Sequence, residues 1–225
     1  MSILRCAAVL AAFLFCTEAA GGSFSVAPVR LDVKAPRRAA SIEVQNTGDL
    51  PAQLQVERYR WVADRDGEDL LEATEEVIAT PPIFTLAPGQ KQIVRLLLFG
   101  APDPSREVTY RLILQETALN DPPPNAVQAL LRISMPVFIT PPGARPNVVW
   151  TLQQDGDRWW LRAENTGNAH AQINAVRTGA GADIKATGYL LAGETKRIAL
   201  EGAIDSVLVT LRDQPEQTFP VRAMP

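Results

Sequence analysis

Two copies of one short pattern constrain this chain's fold more than any other feature of its sequence. Residues 41–56 and 160–175 share Asn-Thr-Gly at the same place and Ala-Gln a few residues later. An alternating strand leads into each Asn-Thr-Gly turn, and a second strand leaves it. Further on, residues 86–94 and 191–199 also match one another. The repeat predicts two related β domains in tandem.

The remaining sequence favours strands over helices. Alternating or β-branched and aromatic segments occur at residues 24–33, 54–61, 93–99 and 108–114. The 18 prolines suit edge strands and tight connections. Only residues 68–79 have a helical composition; they are acidic and followed by two prolines, so a turn or a frayed helical segment is expected there. The chain is therefore predicted to be all-β and built from β-sandwiches.

The ends of the domains follow from two segments. Residues 1–22 contain Arg5, an apolar run and then small residues, which is typical of a secretory signal peptide. Cleavage after Ala19 and cleavage after Gly22 both fit. The run is too short to span a bilayer, which needs roughly 20 apolar residues, so export without membrane insertion is expected. A proline-rich elbow at residues 139–147 predicts a first domain at 23–141 and a second at 142–225.

Several kinds of chemistry find no support in the sequence. Cys6 and Cys16 both lie in the predicted signal peptide, so the mature chain has no thiol and no disulfide. The formal net charge is -3 and the basic residues are scattered, which argues against nucleic acid as a partner. A single histidine, His170, is expected to be a solvated turn residue. We therefore expect no metal site, no cofactor and no enzymatic activity.

A long apolar strand is the segment most suggestive of function. After Pro122-Pro-Pro, one face of the strand from residue 127 to 139 would carry Val127, Ala129, Leu131, Ile133 and Met135. The strand could simply cover the core of its own domain. Its length of about a dozen residues exceeds the usual 5 to 6, however, and an overlong apolar strand can complete the sheet of another chain.

Three segments carry a resemblance to a known family. The resemblance lies in residues 26–30 (Val-Ala-Pro-Val-Arg), 80–96 and 110–116, followed by the proline-rich loop and the long strand. In these segments the chain resembles periplasmic pilus-assembly chaperones of the chaperone-usher pathway. The resemblance covers essentially the whole mature chain. The strand ending at residues 134–141, together with Tyr110-Arg111, resembles the divergent branch that serves spore-coat-protein-like pili.

The resemblance implies a fold, a compartment and a mechanism. Members have two immunoglobulin-like β-sandwich domains set at an angle, with a cleft between them, and act in the periplasm. They stabilise incomplete pilus subunits by donor-strand complementation, lending the last strand of the first domain. An outer-membrane usher then receives the subunit. Whether the free protein self-associates to cover this strand stays open.

The resemblance also assigns site residues. Family members bind the subunit's C-terminal carboxylate with basic side chains in the cleft, and Arg30 matches the first-strand arginine. The best-known members add a donor-strand lysine, but Pro136 occupies that place here. Arg111, on a strand expected to neighbour the donor strand, is the second candidate. Either arginine could instead be a surface charge.

Two other functions compete with this interpretation. One is a two-domain secreted structural or adhesive β-sandwich protein without strand donation. The other is an enzyme, which would need acidic residues that converge on one pocket.

Overall fold

Strands account for the regular structure of the described chain. The computed structural model describes residues 23–64, 67–100, 103–119 and 129–223, so the predicted signal peptide and Val127 lie outside it. These residues contain no helix, and hence none that is long and apolar enough to cross a membrane. The first ten strands are β1 (Phe24–Ala27), β2 (Leu31–Lys34), β3 (Ala39–Asn46), β4 (Ala52–Ala63), β5 (Asp69–Ala73), β6 (Val77–Thr80), β7 (Ile83–Leu86), β8 (Lys91–Leu98), β9 (Val108–Thr117) and β10 (Arg132–Thr140).

A second group of strands follows the elbow. These are β11 (Val148–Asp155), β12 (Arg158–Asn165), β13 (Ala171–Thr178), β14 (Asp183–Ile184), β15 (Gly188–Leu190), β16 (Thr195–Leu200), β17 (Ser206–Leu211), β18 (Gln217–Pro220) and β19 (Arg222–Ala223).

Each group of strands forms two sheets. In the first, one sheet has the order β1-β3-β8-β6 and the other β2-β10-β9-β4-β5, with β7 also paired to β4. In the second, the orders are β16-β12-β11-β19 and β14-β13-β17-β18, with β15 also paired to β13. Between each pair of sheets lies a separate apolar core; fully buried members include Val44, Leu54, Val94 and Leu114 in the first, and Leu161, Leu190 and Val207 in the second. The predicted fold of two β-sandwiches in tandem is confirmed.

Two segments differ from the sequence prediction. Residues 24–33 form two strands in different sheets, because the chain crosses over at Pro28, which cannot donate a ladder hydrogen bond. Residues 68–79 were expected to be a turn or a frayed helical segment, and this is wrong: they contain β5 and the start of β6. β5 is exposed along its whole length at the edge of its sheet, so its acidic side chains stay in water.

The repeated asparagine has the same role in both copies. Asn46 is fully buried, and its amide nitrogen donates to the carbonyl oxygens of Leu50 and Leu86 at 2.7 and 3.0 Å. Its side-chain oxygen accepts from the backbone N–H of Gly48 at 3.0 Å. Asn46 therefore joins its own turn to the start of the second repeated segment.

The second copy reproduces these contacts in the same order. Asn165 donates to the carbonyl oxygens of Ala169 and Leu190 at 2.8 and 3.1 Å, and accepts from Gly167 N–H at 3.1 Å. The sequence repeat thus encodes one tertiary hydrogen-bond pattern, used twice.

The second Asn-Thr-Gly turn also binds the first sandwich. The Asn168 carbonyl accepts from the backbone N–H of Glu107 at 2.9 Å, and its side-chain nitrogen donates to the Ser105 carbonyl at 2.9 Å. Arg106 donates to the carbonyl of Ala192, in the second repeated segment. Beside Arg30, a cleft of about 380 Å³ opens between β2 and the second sandwich.

Candidate functional site

β10, the last strand of the first sandwich, is paired fully on one side only. β9 pairs antiparallel with it from Arg132 to Ile139. On the other side, β2 pairs in parallel with Val137 to Thr140 only. Within the described part of the chain, residues 132–136 thus present an open backbone edge. Such an edge is where a strand from another chain can add.

The apolar row predicted on this strand divides into two parts. Met135 is buried in the first core and Ile133 packs against that core. The expectation of a strand from residue 127 is wrong for residues 129–131, because β10 begins at Arg132. Leu131 and Ala129 therefore precede β10 and are exposed, with 37% of Leu131 accessible to solvent. Val127 lies outside the described residues. The row therefore covers its own core at one end and is available to a partner at the other.

Arg30 lies at the cleft, where the chain enters β2. Its Nε donates to both carboxylate oxygens of Asp32, at 3.0 and 2.8 Å, and its Nη1 donates to Gln172 Oε1 on β13. The guanidinium carbon is 5.2 Å from the ring centre of Phe138 on β10. Burial alone lowers the pKa of Arg30, but Asp32 and then Tyr189 more than offset it, so the pKa is raised. Arg30 thus stays charged, its charge is balanced by Asp32, and its side chain bridges the two sandwiches.

Arg111 lies in the middle of β9, opposite Pro136 of β10. The expectation that its strand neighbours the long strand is confirmed. Its guanidinium lies over the Trp61 ring, and Nη2 is 3.4 Å from Asp69 Oδ2. Burial lowers the pKa of Arg111, and Asp69 and Tyr189 offset this only in part. Arg111 is therefore the less well compensated of the two cations.

A cluster of aromatic residues stands between the two arginines. Trp61 of β4, Phe138 of β10 and Tyr189 of β15 pack together with Leu191. The Tyr189 ring centre is 5.6 Å from that of Trp61 and 5.3 Å from that of Phe138. The guanidinium carbons of Arg30 and Arg111 are each 5.9 Å from this same ring. Both predicted site residues therefore meet at one side chain of the second sandwich.

His170 is not the solvated turn residue that the sequence suggested. Its side chain is 10% exposed, and its ring stacks on Phe138 with centres 3.6 Å apart. Its Nδ1 is 2.7 Å from Glu107 Oε1, and its backbone N–H donates to the same oxygen at 2.9 Å. Phe138 and Glu107 of the first sandwich cover the His170 side chain, which the turn's own sequence cannot reveal.

Acidic residues do not form a metal site in the part of the chain that the structure describes. No group of three or more histidine, cysteine, aspartate or glutamate side chains is placed to hold an ion among residues 23–64, 67–100, 103–119 and 129–223. The charged residues that line the cleft beside Arg30 are of both signs: Asp32, Lys34, Glu107, Arg212 and Asp213.

Comparison with known proteins identifies the family. Residues 23–145, more than half of the chain, match the family model described as "Pili and flagellar-assembly chaperone, PapD N-terminal domain". The chain belongs to this family. The resemblance to pilus-assembly chaperones of the chaperone-usher pathway is thereby confirmed. Family membership does not favour the alternative of a secreted structural or adhesive protein.

One curated relative and several solved structures are similar to the chain. The chain is 29% identical to the chaperone protein PapD of Escherichia coli over 147 residues, which cover 62% of this chain and 59% of PapD. A similar solved structure is a chain of the CsuC–CsuE chaperone–tip adhesion subunit complex, from the archaic chaperone-usher Csu pili of Acinetobacter baumannii. It superposes with a TM-score of 0.74 at 22% identity, and the match covers 90% of this chain and 100% of that one. The E. coli chaperone DraB gives a TM-score of 0.68 at 18% identity, with 91% and 98% covered. At these identities the structures support the fold.

The residues that sequence reasoning missed are aromatic. Phe138 lies within the segment that carries the resemblance and so had a local signal. Trp61 breaks the alternation of buried residues in its strand, which places Leu54 and Val56 on the other face, and it packs with Leu191 of the second sandwich. Tyr189 had no local signal, because it reaches the site only through the packing of the second sandwich on the first. The assignment to the branch serving spore-coat-protein-like pili stays a prediction.

Proposed function

We propose that this protein is a periplasmic chaperone that binds incomplete β-sandwich pilus subunits by lending them β10, and delivers them to an outer-membrane usher. It does so by binding alone, without catalysis. The observation that carries the proposal is that Arg30 and Arg111 both lie 5.9 Å from the Tyr189 ring, beside the strand β10 whose edge is open. An edge offers main-chain hydrogen bonds, and paired guanidinium groups offer directional contacts to a carboxylate.

The two arginines fix the direction of the bound strand. Arg111 is opposite Pro136, and Arg30 contacts Phe138, so both lie near the end of β10 that enters the cleft. A subunit whose C-terminal carboxylate binds there must end at the same place. Its last strand then runs parallel to β10, and side chains upstream of its C-terminus meet Ile133 and Leu131.

Exposed Leu131 is the most useful position for testing strand donation. Ile133 and Met135 also support the first core, so changing them would destabilise the chaperone itself. Leu130 is a matched control, because it is a neighbouring leucine of similar exposure, 42% against 37%. By the predicted alternation it lies on the opposite face of the strand.

The experiment is capture of subunits from the periplasm of the native host. Tagged parent protein, Leu131→Asp, Leu130→Asp and Arg30→Ala are each purified, and co-purifying proteins are identified by mass spectrometry. We expect the parent and Leu130→Asp to capture pilus subunits. Leu131→Asp should lose them at the parent's melting temperature, and Arg30→Ala should lose them while remaining folded, as shown by a cooperative thermal transition. Equal capture by all four would contradict donation and anchoring, and capture of no subunit by the parent would contradict the function.

Export and domain organisation belong to the same proposal. The signal peptide is proposed to be removed after Ala19 or Gly22, leaving a first domain to residue 141 and a second from residue 142. N-terminal sequencing of protein recovered from the periplasm distinguishes the two cleavage sites. Recovery of the uncleaved chain from the cytoplasm would contradict the assigned location.

A further inference from the structure

Tyr189 is placed between the two arginines by the pairing of two strands in the second sandwich. It lies opposite Gln172, whose side chain binds Arg30, in the β13–β15 pair. Its ring is equidistant from both guanidinium carbons, at 5.9 Å. Interaction with Tyr189 acts to raise the pKa of both arginines. The second sandwich thus places Tyr189 next to both arginines of the first sandwich.

The ring cannot easily move from this position. It packs edge-on against Trp61, with an interplanar angle of 90°, and against Phe138 at 45°. Trp61 and Phe138 are themselves buried, at 1% and 0% exposure. A side chain held on two sides by buried rings presents its hydroxyl with little loss of conformational freedom on binding.

The chemistry of the neighbours leaves the hydroxyl proton for an incoming ligand. Arg30 and Arg111 both lie over the Tyr189 ring, and because guanidinium groups carry only hydrogen-bond donors, neither can accept the hydrogen of the hydroxyl. That hydrogen needs an acceptor. A carboxylate attracted by the two arginines would supply one, because it has about four lone-pair sites and two cations do not exhaust them.

We propose that Tyr189 is a third carboxylate-binding residue, whose hydroxyl donates a hydrogen bond to the C-terminal carboxylate of the bound subunit between Arg30 and Arg111. This inference rests on the function proposed above. It makes the second sandwich part of the binding site, so that the anchor is complete only when both sandwiches are in place. The contacts of Arg106 and Asn168 join the two sandwiches and so contribute to holding Tyr189 at the site.

The test uses two synthetic peptides that copy the C-terminal strand of the subunit captured by the parent protein. One ends in a free carboxylate and the other in an amide. Binding of each is measured by calorimetry to the parent, to Tyr189→Phe and to Tyr59→Phe. The last variant removes a hydroxyl that lies 3.2 Å from Glu57 on β4 and serves as the matched control.

We expect Tyr189→Phe to weaken binding of the free acid about tenfold, as for loss of a hydrogen bond to a charged group, and to leave the amide unchanged. Tyr59→Phe should change neither. An equal loss for both peptides would show that Tyr189 acts through packing, and no loss for either would show that its hydroxyl does not bind the carboxylate. Both results would overturn the inference. Failure of the parent to bind either peptide would instead overturn the proposed function.

Discussion

The guanidinium carbon of Arg111 lies 3.7 Å from the centre of the Trp61 ring. This contact joins neighbouring strands, since β9 and β4 pair side by side. The stacked ring fixes the plane of the guanidinium while its edge stays available for hydrogen bonds. Trp61 is itself buried against Phe138 and Leu191, so the position of the cation depends on the closed interface between the sandwiches.

The stacking predicts that lysine cannot replace Arg111. An ammonium group lacks both the flat face that packs on Trp61 and the paired donors that fit a carboxylate. We expect Arg111→Lys to weaken subunit binding by about tenfold or more, since hydrogen bonds to charged groups each contribute about 1.5–3 kcal/mol. The change in melting temperature should be small. Calorimetry with purified subunit measures the first quantity and thermal denaturation the second.

A second arginine–tryptophan pair provides the control for that variant. Arg197 of β16 lies 4.6 Å from the ring centre of Trp160, away from β9 and β10. Arg197→Lys should leave subunit binding unchanged. If it reduced binding as much as Arg111→Lys, stacking in general, and not the position of Arg111, would be responsible.

In the proposed function, Asp69 would compete with the subunit's carboxylate for Arg111. Its carboxylate oxygen is 3.4 Å from Nη2 of Arg111, and 47% of its side chain is exposed. Removing this charge leaves Arg111 without its acidic neighbour, so an incoming carboxylate should bind more tightly. Because exposed ion pairs are worth about 0–1 kcal/mol, we expect Asp69→Asn to strengthen binding about two- to fivefold. Glu72→Gln on the same strand is the control, and weaker binding by Asp69→Asn would indicate that Asp69 orients Arg111.

The buried asparagines predict a paired stability result. Asn46→Ala leaves the Leu50 and Leu86 carbonyls and the Gly48 N–H without their side-chain partner. Unsatisfied buried groups cost about 1–3 kcal/mol each, and some will find water, so we expect a loss of about 2–4 kcal/mol in the free energy of unfolding. Asn165→Ala should cost a similar amount in the second sandwich. Urea denaturation followed separately in each sandwich measures both losses.

A surface neighbour distinguishes the asparagine effect from general damage to the strand. Gln45 precedes Asn46 and donates one exposed side-chain hydrogen bond of 3.3 Å to the Gly89 carbonyl. Gln45→Ala should change the free energy of unfolding by about 0.5 kcal/mol or less. A loss as large as that of Asn46→Ala would show that the asparagine has no special role in stability.

These asparagines also indicate why the fold could be predicted from the sequence. The groups that form these turns are close together in the sequence, in Asn-Thr-Gly and in the segment beginning at Leu86 or Leu191. The alternation of apolar residues identifies the strands around them. β5 escaped prediction because no face of it is buried, so its sequence does not alternate.

The candidate site was only partly predictable for a related reason. Arg30 and Arg111 could be proposed because they lie in segments that resemble a family. Tyr189 and His170 could not, because their contacts depend on how one sandwich packs on the other. His170 binds Glu107, 63 residues earlier, and Arg30 binds Gln172, 142 residues later. Local periodicity contains no information about such contacts.

Glu194 provides a prediction about pH, because its side chain makes the hydrogen bond that Gln90 makes in the first copy. Gln90 Oε1 accepts from the Ala87 N–H at 2.9 Å, and Glu194 accepts in the same way from Leu191 N–H. Gln90 is exposed, however, whereas Glu194 is 4% exposed because the first sandwich covers this segment. Burial raises the pKa of Glu194, although the Leu191 N–H and Lys196 oppose the shift.

A raised pKa for this acid means that its charged form is less stable in the folded protein than in the unfolded chain. The contribution of Glu194 to stability is therefore complete below its ordinary pKa of 4.5 and is lost as the pH rises through the higher folded-state value. Glutamine is neutral throughout this range and keeps the hydrogen bond to Leu191. Glu194→Gln should thus raise the melting temperature at pH 7, by about 2–4 °C per kcal/mol gained, and the gain should shrink towards pH 4. Gln90→Glu is the reciprocal control and should have little effect on the melting temperature at either pH. If the gain for Glu194→Gln did not change with pH, the ionisation of Glu194 would not be its cause.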